Sequence, residues 1–113
     1  MYCPSVGRPS ERAAAAKAAE VHGRLDGLAN CVGSILLKPA HLTSEDEWDA
    51  VVSTNLKSAY AAVRAAARAM TGGGSLVLVS SAAARLGLAN HEAIAAAKAG
   101  VIGLTLSAAA TYA

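Results

Sequence analysis

The stretch that decides the fold of this chain covers residues 76–98 and reads LVLVSSAAARLGLANHEAIAAAK. It opens with an unbroken apolar run, Leu-Val-Leu-Val, one residue after three consecutive glycines. A run this short, with β-branched residues in it, is typical of a strand buried on both faces in a parallel sheet. Two serines follow, and an alanine-rich helix then carries a single lysine. Ligands of open α/β sheets bind at the carboxyl ends of strands, so we expect Ser81 and Lys98 to face one cleft.

The rest of the chain alternates helix and strand around this stretch. Ser10 is a good N-cap for a helix over 10–22, and a short strand is predicted over 25–31. A second helix is predicted over 45–70, the strand over 76–79 follows, and a last helix starts near His91. Such alternation predicts an α/β protein with parallel strands joined by right-handed crossovers. We expect about two strands with three flanking helices, in one partial domain over residues 1–113.

The helix over 45–70 has a defined start and an interrupted apolar face. Ser44 and Glu47 have the spacing of a capping box. One polar residue, Asn55, lies within the apolar stripe and needs a hydrogen-bond partner if it is buried. The stripe consists of Trp48, Val52, Asn55, Ala59, Val63 and Ala66.

Composition excludes several classes of protein. The 113 residues are 54% hydrophobic, which excludes a disordered chain, and they suffice for one small domain or part of a larger one. The net charge of +2 is too small to indicate nucleic-acid binding. No window holds about 20 consecutive apolar residues, so no membrane segment is expected. Cys3 and Cys31 lack metal-ligand spacing, and free thiols in a cytoplasmic protein are expected.

Several separated segments, in the right order, resemble the short-chain dehydrogenase/reductase family over roughly four-fifths of the chain. Each segment alone is a weak signal, but their common order is specific. The matching segments are Leu-Asp-Gly-Leu at 25–28, Asn-Cys-Val-Gly at 30–33 in place of Asn-Asn-Ala-Gly, Asn55 within Thr-Asn-Leu, Ser81 at the end of Leu-Val-Ser-Ser, and Lys98 before Ala-Gly-Val-Ile-Gly-Leu.

The resemblance implies a Rossmann-like, doubly wound fold and an oxidoreductase that uses NAD or NADP. The reaction would move a hydride between the nicotinamide and an alcohol or carbonyl substrate. The catalytic residues carried over by the resemblance are Ser81, Lys98 and Asn55, where the serine holds the substrate oxygen and the asparagine positions a water. The cofactor-binding residues carried over are Asn30, Gly33 and Lys98.

The chain departs from the family pattern at the residue that transfers the proton. The family's Tyr-x-x-x-Lys motif reads here as Ile94-Ala-Ala-Ala-Lys98, and isoleucine has no proton to exchange. The family's glycine-rich phosphate-binding turn has no match within these 113 residues, so a partial family member of doubtful activity is expected. His91 lies three residues before Ile94, on roughly the same helical face, and is a candidate replacement. The alternative is a solvated histidine in the first helical turn.

Structural alternatives stay open for the other candidates. Ser81 can cap the loop after its strand, and Asn55 can serve only as a buried hydrogen-bonding group. Lys98 can be a surface lysine of an alanine-rich helix.

Two readings of function follow. In the first, the chain is part of an NAD(P)-dependent oxidoreductase. In the second, it is a non-catalytic interaction module derived from that family. In either case the helices over 45–70 and 91–112 resemble those of the family's subunit interface, so a homo-oligomer is expected. Both sheet edges would be open, which predicts a marginally stable or oligomer-dependent chain.

Overall fold

The structure, a computed structural model, describes residues 10–113. It shows three helical regions and two strands in the predicted order. In chain order these are α1 (Ser10–His22), β1 (Gly27–Asn30), α2 (Glu45–Val52), α3 (Ser58–Ala69), β2 (Ser75–Leu78) and α4 (Glu92–Thr111). Short 3₁₀ turns at Ala40–Leu42 and Ala82–Ala84 lie in the loops after the two strands. Cys3 lies outside the described residues, and Cys31 is exposed at the end of β1.

The two strands are parallel neighbours. Gly27 is opposite Ser75 and Asn30 is opposite Leu78, which brings both carboxyl ends to the same edge of the sheet. Strand β1 is shorter than the predicted 25–31, and β2 begins and ends one residue earlier than predicted. Within the described part of the chain, each strand has one outer edge without a strand partner.

The prediction that β2 is buried on both faces is wrong for this chain. Leu76 and Leu78 are partly buried and pack against a cluster of Leu28, Ala62 and Ala66, whereas Val77 is 57% exposed. The sheet is covered on one side only. Helix α3 contacts both strands from that side, and the described residues supply no helix to cover the side that carries Val77.

The predicted helix over 45–70 is two α-helices joined by a π-helical segment. The capping box at its start is present: Ser44 Oγ accepts from the Glu47 backbone N–H, and the Glu47 carboxylate accepts from the Ser44 N–H, both at 3.1 Å. Residues Ser53–Lys57 then form the π-helix between α2 and α3. A π-helical turn carries one residue more than an α-turn, so it rotates the faces before and after it relative to each other.

Helix α4 packs beside α2 and the π-helical segment. Its residues Ala93, Ile94 and Ala97 form a buried cluster with Val51 of α2, and Leu36 and Leu56 pack against that cluster. By length and composition alone, α4 is also apolar enough to cross a membrane. Only the first half of α4 packs into the core against α2, and 28% of the apolar window is buried.

Candidate active site

Asn55 is the most buried polar residue near the carboxyl ends of the strands. It lies in the π-helical segment with 1% of its surface exposed. Its Oδ1 accepts from the Ser34 backbone N–H at 3.1 Å, and its Nδ2 donates to Ser34 Oγ at 3.0 Å and to the Val51 carbonyl at 2.9 Å. The partner that a buried amide requires is therefore the loop after β1. Asn55 fixes that loop against the helix.

Lys98 is buried in α4 rather than exposed on its surface. Only 7% of the residue is accessible, and Nζ donates to the Val79 carbonyl at 2.9 Å. Burial lowers the pKa of the Lys98 ammonium below its ordinary value. The Lys98 backbone carbonyl in turn accepts from Ser80 Oγ at 2.7 Å. Two hydrogen bonds therefore hold this lysine at the end of β2.

Gly33 brings Asn55 and Lys98 into one site. A Cβ placed on Gly33 would lie 3.4 Å from Asn55 Oδ1 and 3.7 Å from Lys98 Nζ. The loop after β1 thus passes directly over both polar groups, and the missing side chain leaves a small open space beside them. Three of the five candidate residues are therefore neighbours, although 43 positions separate Asn55 from Lys98 in the sequence.

Ser81 follows β2 on the same edge of the sheet but makes no hydrogen bond to Asn55 or Lys98. It is exposed, and its Oγ accepts from the Ala83 N–H at 3.1 Å as the N-cap of the 3₁₀ turn Ala82–Ala84. The capping role expected as the structural alternative is therefore present. It uses only an oxygen lone pair, so the O–H still has a proton to donate.

Asn30 has a structural role in the described chain. The residue is 4% exposed, its Oδ1 accepts from the Val32 N–H at 3.0 Å, and its Nδ2 donates to Ser58 Oγ at 3.4 Å. These bonds shape the turn after β1 and connect it to the start of α3. A contact between Asn30 and a cofactor stays a prediction.

Ile94, at the position where the family has tyrosine, is 5% exposed and belongs to the cluster with Val51. Val51 and Asn55 are four residues apart, as are Ile94 and Lys98, so the apolar pair lies one helical turn from the polar pair. The position one helical turn before Lys98 is therefore filled by apolar packing.

Sequence reasoning missed two serines and the π-helical segment. Ser34 is the partner of Asn55, and Ser80 is the partner of the Lys98 backbone. The sequence did offer one signal: Asn55 lies within an apolar stripe, so if buried it needs a hydrogen-bond partner from elsewhere in the fold. That partner, Ser34, could not be located in advance because the loop after β1 has no periodic pattern.

Comparison with known proteins finds several relatives of similar sequence. A family model described as "Enoyl-(Acyl carrier protein) reductase" matches residues 7–113. Short-chain dehydrogenase/reductase ABA4 of Pyricularia oryzae is 45% identical over 91 residues, which are 77% of this chain and 34% of that protein. D-threitol dehydrogenase of Mycolicibacterium smegmatis is 35% identical over 112 residues, which are 97% of this chain and 43% of that protein.

Solved structures resemble the fold as well. The crystal structure of a metagenomic short-chain oxidoreductase in complex with NADP matches with a TM-score of 0.85 and 33% identity, over 97% of this chain and 52% of that one. This likeness confirms the predicted α/β class and Rossmann-like fold. The chain spans only 34% to 52% of the lengths of these three relatives. The family match over nearly the whole chain, with the relatives' names and the shared fold, shows that the chain belongs to the short-chain dehydrogenase/reductase family.

Proposed function

We propose that this chain forms part of the active site of an NAD(P)-dependent oxidoreductase that interconverts an alcohol and a carbonyl compound. The observation that carries the proposal is the cluster of Gly33, Asn55 and Lys98 at the carboxyl ends of two parallel strands. That edge of an α/β sheet is where ligands bind. Family membership supports the same chemistry, and a relative of similar fold is described in complex with NADP.

The residues present fit the sugar of a nicotinamide nucleotide. A lysine ammonium has three N–H donors, and in the described part of the chain Lys98 uses one of them, toward Val79. The open space at Gly33, which a Cβ would fill, lies beside this ammonium. Lys98 and Gly33 would therefore hold the ribose hydroxyls. The cofactor, when bound, would supply the hydride acceptor or donor.

The other site residues position groups rather than react. Asn55 holds the loop after β1 in place through its bonds to Ser34, which keeps the space at Gly33 open. Ser81 presents its O–H at the end of β2, where a substrate oxygen can accept it. Ile94 cannot take or give a proton, so the proton of the reaction needs another residue.

Cofactor binding tests this proposal, and Gly33 offers a sharp variant. Gly33→Ala adds a methyl group at ordinary contact distances from Asn55 and Lys98, so the fold tolerates it while the space beside the ammonium is filled. Gly87→Ala, in the loop after β2, is the matched control, since a Cβ there meets nothing within 4 Å. Fluorescence titration with NADH and NADPH should give micromolar affinity for the wild-type protein, about tenfold weaker in Gly33→Ala and unchanged in Gly87→Ala. Equal affinities in all three proteins would contradict the proposed cofactor position.

A non-catalytic interaction module is the second candidate. It is favoured by the apolar residue at position 94 and by large apolar side chains exposed on the helices, Tyr60 at 50% and Leu106 at 69%. Absence of NADH and NADPH binding, with co-purification of a larger homologue, would support this candidate. A cytoplasmic location stays a prediction, which cell fractionation tests.

A further inference from the structure

In the part of the chain that the structure describes, neither Ile94 nor Lys98 is arranged to move the substrate proton. Ile94 is packed into an apolar cluster, and the Lys98 ammonium is held on a backbone carbonyl. Two described tyrosines are elsewhere: Tyr60 is half exposed on α3, and Tyr112 follows Lys98 by 14 residues, about 21 Å along a helix. Glu92 is also placed elsewhere, because it lies about 100° around α4 from His91 and lines a surface cavity of about 410 Å³ with Glu45 and Trp48.

Helical spacing places His91 near Lys98 around the axis of α4. Seven residues of α-helix make about 700°, so positions 91 and 98 differ by only about 20° around the axis and by about 10.5 Å along it. His91 is the N-cap of α4, directly after the loop that leaves β2, and its ring bonds to that loop in an exposed position. By helical spacing its Cα is therefore on the same side of α4 as the buried Lys98, nearer the start of the helix.

One hydrogen bond fixes the chemistry of the His91 ring. Its Nδ1 lies 2.7 Å from the Ala89 carbonyl oxygen. A carbonyl only accepts, so Nδ1 carries the hydrogen, and in the neutral ring Nε2 has a free lone pair. Within the described part of the chain, Nε2 has no hydrogen-bond partner. Asn90, between these residues, has a φ of 62°, which is uncommon outside glycine and sets the tight turn that brings carbonyl and ring together.

We infer that His91 is the acid–base residue of this site and replaces the tyrosine that the chain lacks at position 94. The inference rests on the proposed function. In alcohol oxidation, Nε2 would take the hydroxyl proton, and the hydride on the same carbon would go to the oxidised nicotinamide when it is bound, which leaves a carbonyl. In reduction, the protonated ring would return the proton from Nε2 to the carbonyl oxygen, and the carbonyl carbon would accept the hydride of the reduced nicotinamide. The Ala89 carbonyl keeps Nδ1 protonated throughout.

Kinetics of the His91→Gln variant test the inference. Glutamine keeps the polarity but cannot exchange a proton, so kcat for NAD(P)-linked alcohol oxidation should fall by about 10²- to 10⁴-fold, with NADH or NADPH affinity kept. His22→Gln, at the exposed end of α1, is the matched control and should keep wild-type kcat. Added imidazole should restore part of the rate to His91→Ala, which a purely structural role would not allow. A His91→Gln rate within about twofold of wild type, or no rescue by imidazole, overturns the inference.

A second measurement needs neither cofactor nor turnover. In protein labelled with ¹⁵N-histidine, NMR should show neutral His91 with its hydrogen on Nδ1 and a bare Nε2, and a hydrogen on Nε2 overturns the inference. The two proposals fail separately. Cofactor binding and turnover that survive His91→Gln leave the proposed function standing, while a wild-type protein that binds neither NADH nor NADPH removes both.

Discussion

Lys98 is unusual because only 7% of the residue is exposed, and a single backbone carbonyl accepts a hydrogen bond from its partly buried ammonium. Burial of an ammonium favours its neutral form, which is why its pKa is lowered. Such perturbed groups concentrate in functional sites, where the strain that they add to the fold serves binding or catalysis. The neighbouring Asn55, by contrast, has its polar atoms satisfied within the protein.

The lowered pKa of Lys98 predicts how stability depends on pH. Because the unfolded chain binds this proton more tightly than the folded chain, the contribution of Lys98 to the unfolding free energy rises with pH. The rise covers the window between the lowered pKa and the ordinary value of about 10.4. Chemical denaturation at a series of pH values should therefore show wild type gaining stability relative to Lys98→Met across that window.

Lys57→Met, at an exposed lysine of the π-helical segment, is the control for loss of a lysine as such. If the difference in unfolding free energy between wild type and Lys98→Met does not change with pH, the buried ammonium costs the fold nothing. If that difference falls as the pH rises, folding raises the pKa of Lys98 instead of lowering it.

At the scale of elements, the π-helical segment explains which helical positions are buried. The sequence stripe correctly includes Ala59 and Val63, which follow the segment and are buried. Before the segment it places Trp48 on the buried face, but Trp48 is 42% exposed and Val51 is buried instead. One extra residue in the turn rotates the two faces by about one position, and periodicity computed with a constant repeat cannot detect it.

Local signals in the sequence predicted other elements well, and burial of the sheet poorly. The Ser44 capping box and the order of helices and strands depend on neighbouring residues, so they are legible in the chain itself. Whether Val77 is buried depends on a layer that lies on the other side of the sheet. Likewise, Lys98 and Asn55 were predicted from family motifs, whereas their partners Ser80 and Ser34 depend on how loops meet helices.

The start of β2 depends on a close approach at Gly74. A Cβ there would lie 2.8 Å from the Asp26 carbonyl oxygen, the atom that accepts from the Ser75 N–H as the two strands begin to pair. It would also lie 2.7 Å from Met70 Sδ. Since backbone cannot easily yield, Gly74→Ala should lower the unfolding free energy by about 1–3 kcal/mol.

Gly72→Ala is the matched control, because a Cβ at that position meets nothing within 4 Å. Denaturant titration of the two variants should show a change within about 0.5 kcal/mol for Gly72→Ala. Equal effects in both would mean that the loss comes from the glycine-rich turn as a whole and not from the contact with Asp26.

At the scale of the whole molecule, the described chain has little large apolar area to bury. More than half of its buried apolar residues are alanines, which contribute less than larger side chains. The two clusters around Leu28 and Val51 are small, and the outer edges of β1 and β2 have no strand partner among the described residues. Association with a further copy is a direct way to complete such a core.

Helices α3 and α4 are the surfaces that we expect to associate, because they resemble the helices of the family's subunit interface and expose large apolar side chains. Leu106 of α4 is 69% exposed, and a leucine buried in a two-fold interface is buried twice. Leu106→Glu should therefore weaken a dimer by about 3 kcal/mol or more, roughly a hundredfold in Kd, and analytical ultracentrifugation should detect smaller species. Val21→Glu makes the same change at a residue of α1 that is 64% exposed, and it should leave the mass unchanged. A wild-type chain that sediments as a monomer and melts cooperatively well above room temperature would contradict both the interface and the expected dependence of stability on association.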